Sequence, residues 1–146
     1  MTARNKEDAL RCEMIERVLQ DIREQSRAGG AVIVVEGKYD VASLRNLGIC
    51  GKIVPLGGQP LLNFADTLAC CSDSVIVLTD WDRRGNELAQ RIAMYLQPYN
   101  VTVDTSLRDR LKKLVQKDIK DVQGLRRYLT GLQQSTTKTI FSQKIE

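Results

Sequence analysis

Two runs of branched apolar residues in this chain end in carboxylates. Val32-Ile33-Val34-Val35 is followed by Glu36-Gly37-Lys38, and Val75-Ile76-Val77-Leu78-Thr79 by Asp80-Trp81-Asp82-Arg83-Arg84-Gly85. Carboxylates serve as general acids or bases, or as hard oxygen ligands. Three of them about 5 Å apart would repel one another by about 3 kcal/mol per pair at an effective dielectric near 20. Raised pKa values, neighbouring Lys or Arg, or a bound cation must offset that. A donor set of oxygens with neither Cys nor His suits Mg²⁺ or Mn²⁺ rather than zinc. Glu36, Asp80 and Asp82 are therefore the candidate catalytic and metal-holding residues, and Lys38, Arg83 and Arg84 the candidates to hold a phosphate. Gly85 permits a tight turn into a following helix, whose N-terminus favours a phosphate oxygen.

Each piece has a plainer reading. Asp82 and Asp40 are both placed to cap helices, and Arg83-Arg84 could be a solvated turn. The conjunction of Glu-Gly-Lys after one buried run with Asp-x-Asp-x-x-Gly after another is the specific signal. Histidine is absent, which excludes Ser-His and Cys-His catalysis and His-ligated zinc. The four cysteines, Cys12, Cys50, Cys70 and Cys71, form no C-x-x-C pair and read as reduced, partly buried structural residues.

The elements that must position these groups follow from periodicity. Leu10, Met14, Ile15, Val18, Leu19 and Ile22 recur at helical spacing and predict a first helix lying on the sheet. Residues 31–35 and 75–79 read as strands buried on both faces, 53–56 as a shorter strand whose Pro55 suggests a sheet edge, and 101–103 as a fourth. Helical patterns fall after each of the first three strands, at Val41 to Leu47, Leu61 to Leu68 and Leu88 to Leu96. Two short helices follow the fourth strand, near Leu107 to Val115 and Val122 to Leu129. Strands alternating with helices predict an α/β fold, a doubly wound, mainly parallel four-stranded sheet with helices on both faces. In strand order 2-1-3-4, the first and third strands are neighbours at the switch point, where ligands bind beyond the carboxyl ends. Glu36 and the Asp80/Asp82 pair would then share one crevice.

At 146 residues the length suits one core. The expected organisation is an N-terminal helix in 1–30, the domain in 31–132 and a polar, frayed tail in 133–146. No apolar run is long enough to cross a bilayer and the start carries no signal-peptide pattern, so the expectation is a cytoplasmic protein with no membrane partner. The net charge is +4, but basic residues cluster between Thr105 and Tyr128. Arg108, Lys112, Lys113 and Lys117 are the expected phosphate contacts there, with a solvated helix face as the alternative.

At Val32 to Asp40 and at Val75 to Gly85 the chain resembles the Toprim superfamily of bacterial-type primases, topoisomerases, old-lysogenization-type nucleases and ribosomal-RNA maturation nucleases. A fainter match is Lys117-Asp118-Ile119-Lys120-Asp121-Val122. With Trp81 between the two aspartates, the chain looks most similar to the small stand-alone Toprim proteins of archaea. The resemblance implies a Rossmann-like Toprim fold and Mg²⁺ held by Glu36, Asp80 and Asp82, with Asp80 shared when two ions bind. Glu36 is alternatively the general acid or base. It implies phosphodiester chemistry on nucleic acid, RNA in preference to DNA, as a nuclease or RNA-processing enzyme. The alternative is a non-catalytic, metal-dependent nucleic-acid-binding or regulatory module. Primase, topoisomerase and haloacid-dehalogenase-like phosphatase readings fit less well. The last would place Asp-x-Asp on the first strand, whereas here the pair follows the third.

Overall fold

A computed structural model describes the backbone of residues 3–28 and 30–145, with side chains through residue 135. The chain runs α1 (Ala3–Arg27), β1 (Val32–Val35), α2 (Lys38–Asn46), β2 (Ile53–Pro55), α3 (Leu61–Cys71), β3 (Ser74–Val77), α4 (Arg83–Leu96), β4 (Thr102–Asp104), α5 (Ser106–Val115) and α6 (Leu125–Ile145). The four strands form one parallel sheet in the order β2-β1-β3-β4. This is the doubly wound α/β architecture that the alternation of apolar runs predicts.

The period of two along β1 and β3 divides the core. Ile33, Val35, Ile76 and Leu78 face one side, where they pack with Ile15, Leu19 and Ile22 of α1, Leu107 and Leu111 of α5, and Leu125 and Leu129 of α6. Val32, Val34, Val75 and Val77 face the other side, against Phe64 and Leu68 of α3 and Ile92 and Leu96 of α4. Burial on both faces explains why these strands are continuous β-branched runs rather than alternating ones. Pro55 is tolerated because β2 is an edge strand.

Several expectations change. Leu10 and Met14 of the predicted apolar stripe are exposed, so α1 packs through a narrower face built on Ile15, Val18, Leu19 and Ile22. Cys50, Cys70 and Cys71 are exposed and only Cys12 is half-buried; all four are free thiols. In place of a frayed tail from residue 133, the backbone continues helically in α6 to Ile145. The side chains of 136–146 lie outside the described residues. Among the described residues no helix is long and apolar enough to cross a membrane.

Candidate metal and phosphate centre

Hydrogen bonding brings the ends of β1 and β3 together. The parallel register pairs Val34 with Val77, and the Leu78 N–H continues it by donating to the Val34 carbonyl at 2.8 Å. Glu36 then lies beside the Asp80 backbone, whose N–H donates to Glu36 Oε2 at 2.7 Å. Asp80 Oδ1 accepts the Val122 N–H at 3.0 Å. Asp82 Oδ1 accepts the Gly85 N–H at 2.7 Å and caps α4. Each of the three carboxylates thus has one oxygen held by a backbone amide. Asp80 and Glu36 are also hydrogen-bonded to each other through their carboxyl groups.

Trp81 explains how the distant Val122 arrives here. Its ring is buried, its indole N–H donates to the Ile119 carbonyl at 2.7 Å, and its backbone N–H donates to the Lys120 carbonyl at 3.2 Å. The segment after α5 is thereby fixed against the Asp80–Asp82 turn, and it delivers the Val122 amide and Asp121. Asp40, predicted as a possible helix cap, accepts the Gly37 N–H at 2.9 Å and is only 7% exposed. Burial pushes its pKa up, and the negative charges of Asp80 and Asp121 add to that. Asp40 and Asp121 are thus two further carboxylates around the centre that the reading of strand ends did not include.

Arg108 is the other correction. Expected to be a surface phosphate contact, it is 4% exposed. Its Nε donates to the Thr79 carbonyl at 2.9 Å, and one terminal nitrogen donates to the Asp80 carbonyl and to Asn86 Oδ1, both at 2.5 Å. Burial lowers its pKa, and the charges of Asp109, Glu36, Asp80 and Asp82 oppose that drop. The guanidinium is therefore a buried, fixed positive charge beside the acidic group, with Nε and one terminal nitrogen bonded to the backbone and to Asn86 and the other terminal nitrogen 3.9 Å from Asp109. Its spacing carries the signal: Arg108, Leu111 and Val115 stand at i, i+3 and i+7 on the buried face of α5. Arg110 pairs with Asp21 at 2.6 Å.

Lys38, Arg83 and Arg84 are all exposed and flank the acidic centre in sequence. The Lys38 ammonium lies 5.3 Å from the Tyr39 ring centroid, and Arg83 approaches Glu87 at 3.5 Å on the surface of α4.

The Asp80 carboxyl is pushed up to about 7, first by burial and then by a hydrogen bond with the Glu36 side chain and the charges of Glu36 and Asp121, against the lowering effect of the Val122 amide. An all-oxygen group with unspent lone pairs and an excess of negative charge fits a hard divalent cation. Glu36, Asp80 and Asp82 would hold it. Among the described residues no three or more Asp, Glu, Cys or His side chains stand grouped as they would around a metal ion.

The raised Asp80 pKa has a consequence for stability without metal. A carboxyl with a folded-state pKa above its ordinary value contributes stability below about pH 4 that is lost as pH rises through about 7. Asp80→Asn imitates the protonated form at every pH. In EDTA, the wild-type melting temperature is expected to fall relative to that of Asp80→Asn between pH 4 and 7. Parallel curves for the two proteins would show that the group is not perturbed.

Residues 31–105 match the Toprim domain, and they contain β1 to β4 and both acidic strand ends. The chain belongs to the Toprim family. This Toprim protein is similar to a UPF0292 protein of Methanosarcina barkeri, 41% identical over 126 residues that cover 86% of this chain and 87% of the relative. A UPF0292 protein of Pyrococcus horikoshii is 43% identical over 110 residues, covering 75% of this chain and 80% of that one. Among solved structures, a protein from Aquifex aeolicus shares the fold with a TM-score of 0.63 and 29% identity, covering 74% of this chain and 94% of its own. The Toprim domain indicates a metal-dependent function related to nucleic acids.

Proposed function

We propose that this Toprim protein is a metal-dependent nuclease that cleaves phosphodiester bonds in structured RNA. The observation that carries the reading is the trio of Glu36, Asp80 and Asp82 at the carboxyl ends of β1 and β3, each with one oxygen fixed by a backbone amide. A bound Mg²⁺ or Mn²⁺ supplies charge to polarise the scissile phosphate and activate water. The protein contributes position. Asp80 is held from both sides, through its N–H by Glu36 and through its side chain by Val122. Lys38, Arg83 and Arg84 are available to orient the substrate backbone, and Glu36 is suited to move a proton at the reacting oxygen.

A second reading, a non-catalytic clamp that binds nucleic acid through the metal, draws on Asp82. Its cap on α4 gives that carboxylate a structural role that needs no turnover. One pair of measurements separates the readings. Millimolar Mn²⁺ is expected to raise the melting temperature of wild type and not of Asp80→Asn, because a ligand bound only by the folded state stabilises by mass action. Wild type is expected to cleave at least one member of a panel of structured RNAs and single- and double-stranded DNAs when Mg²⁺ is added, and none in EDTA. An unchanged melting temperature would remove the metal centre. Metal binding without cleavage of any panel member would replace the nuclease by the clamp.

A further inference from the structure

A groove of about 650 Å³ runs between α2 and the first turns of α6, lined by Tyr39, Asn46, Gln123, Arg126, Arg127 and Gln134 among others. Its volume is in the range of ligand sites. One end adjoins the acidic centre through the chain itself. Tyr39 follows Glu36 across the start of α2, and Gln123 follows Val122, whose N–H is bonded to Asp80. The buried Ser43 hydroxyl ties the two walls together by donating to the Val122 carbonyl at 2.9 Å.

The lining is unusual for a surface with no partner. Tyr39 is 62% exposed although it is a large aromatic residue, and the Lys38 ammonium described above lies over its ring. Arg126 and Arg127 are exposed, and neither forms an ion pair with a described residue. Gly131 lies inside α6, where glycine costs about 1 kcal/mol relative to alanine. A Cβ built there meets nothing within 4 Å, so packing does not demand the glycine. Its effect is to keep the groove free of a side chain.

We infer that this groove binds single-stranded nucleic acid, with a base stacked on Tyr39 and backbone phosphates on Arg126 and Arg127. Aromatic platforms accept any base face, and unpaired arginines complement phosphate. Asn46, Gln123 and Gln134 add amide donors and acceptors suited to base edges. The direction of the strand, from the groove toward Asp80, rests on the nuclease reading; the binding itself does not.

The test is fluorescence anisotropy with labelled RNA and DNA single strands of about ten nucleotides and with a blunt duplex, all in EDTA so that cleavage is off. Tyr39→Ala is expected to weaken single-strand binding about 5- to 150-fold, the range for losing one stacked base, while Tyr39→Phe retains it. The Arg126→Ala/Arg127→Ala pair should weaken binding and reduce the slope of log K against log salt by about 1.4. Gly131→Gln should fill the groove and weaken binding while leaving the melting temperature equal or higher, which excludes misfolding as the cause. Equal affinities for wild type and Tyr39→Ala, preference for the duplex, or no binding to any oligonucleotide would overturn the inference. Tyr39-dependent binding by a protein that cleaves nothing would keep the groove and sink the nuclease. Cleavage with an unchanged KM in Tyr39→Ala would do the reverse.

Discussion

Glu36→Gln is expected to lower Mg²⁺-dependent cleavage by about 10²-fold or more while nucleic-acid binding and the fold survive. The reason lies in what Glu36 does with each oxygen. Oε2 accepts the Asp80 N–H at 2.7 Å, and a glutamine amide oxygen can accept the same bond. The substitution therefore keeps the link between the ends of β1 and β3 and removes only the charge and the capacity to carry a proton. Asp82→Asn makes the contrast. Its amide oxygen can still cap Gly85, so α4 keeps its start, but a weaker oxygen donor faces the cation and a higher Mg²⁺ concentration should restore the rate. Glu36→Gln also loses a ligand charge and should need more Mg²⁺, but its cleavage deficit should persist at saturating Mg²⁺. Kcat measured across a Mg²⁺ titration distinguishes the two, and equal cleavage by wild type and Glu36→Gln would remove Glu36 from the chemistry.

The sheet was legible because its signal is local. A strand buried on both faces must be apolar at every position, so β1 and β3 announce themselves, and the carboxylates that follow them are conspicuous by contrast. Pro55 marks the edge strand for an equally local reason. What was not legible depends on partners distant in sequence. Arg108 looks like one more charge in a basic segment until the Thr79 and Asp80 carbonyls are seen to need a donor. Asp121 acquires a role only because Trp81 fixes the backbone at Ile119 and Lys120. Tyr39 carries no local signal of a role, and its place on a groove required the position of α6. The frayed tail was inferred from polarity alone, and polarity does not prevent a helix whose first turns are anchored by Leu125, Leu129 and Leu132.

Gly85→Ala is expected to destabilise the fold by about 3 kcal/mol or more, at the upper end of what overpacking costs, and to lower the melting temperature by about 10 °C. The position has no unusual torsion; the constraint is a close approach. A Cβ there would lie 1.7 Å from the Asp80 carbonyl oxygen and 2.4 Å from its carbon, both backbone atoms that cannot swing aside. The start of α4 must retreat, and several bonds converge on the place it leaves. The Gly85 N–H is held by Asp82, the Gly85 carbonyl accepts the buried Thr79 hydroxyl at 2.8 Å, and the Asp80 carbonyl itself accepts Arg108. Displacing the turn loosens the bonds that hold the Asp80–Asp82 turn beside Glu36, so Mn²⁺ should stabilise this variant much less than it does wild type. Gly131→Ala, an interior helical glycine with open space around its Cβ, is the control and should leave the melting temperature unchanged or higher. If Gly85→Ala melts within about 2 °C of wild type, a small fraction of the shift that steric overlap of this kind implies, then the β3–α4 turn is not the rigid element that sets the geometry of the acidic centre.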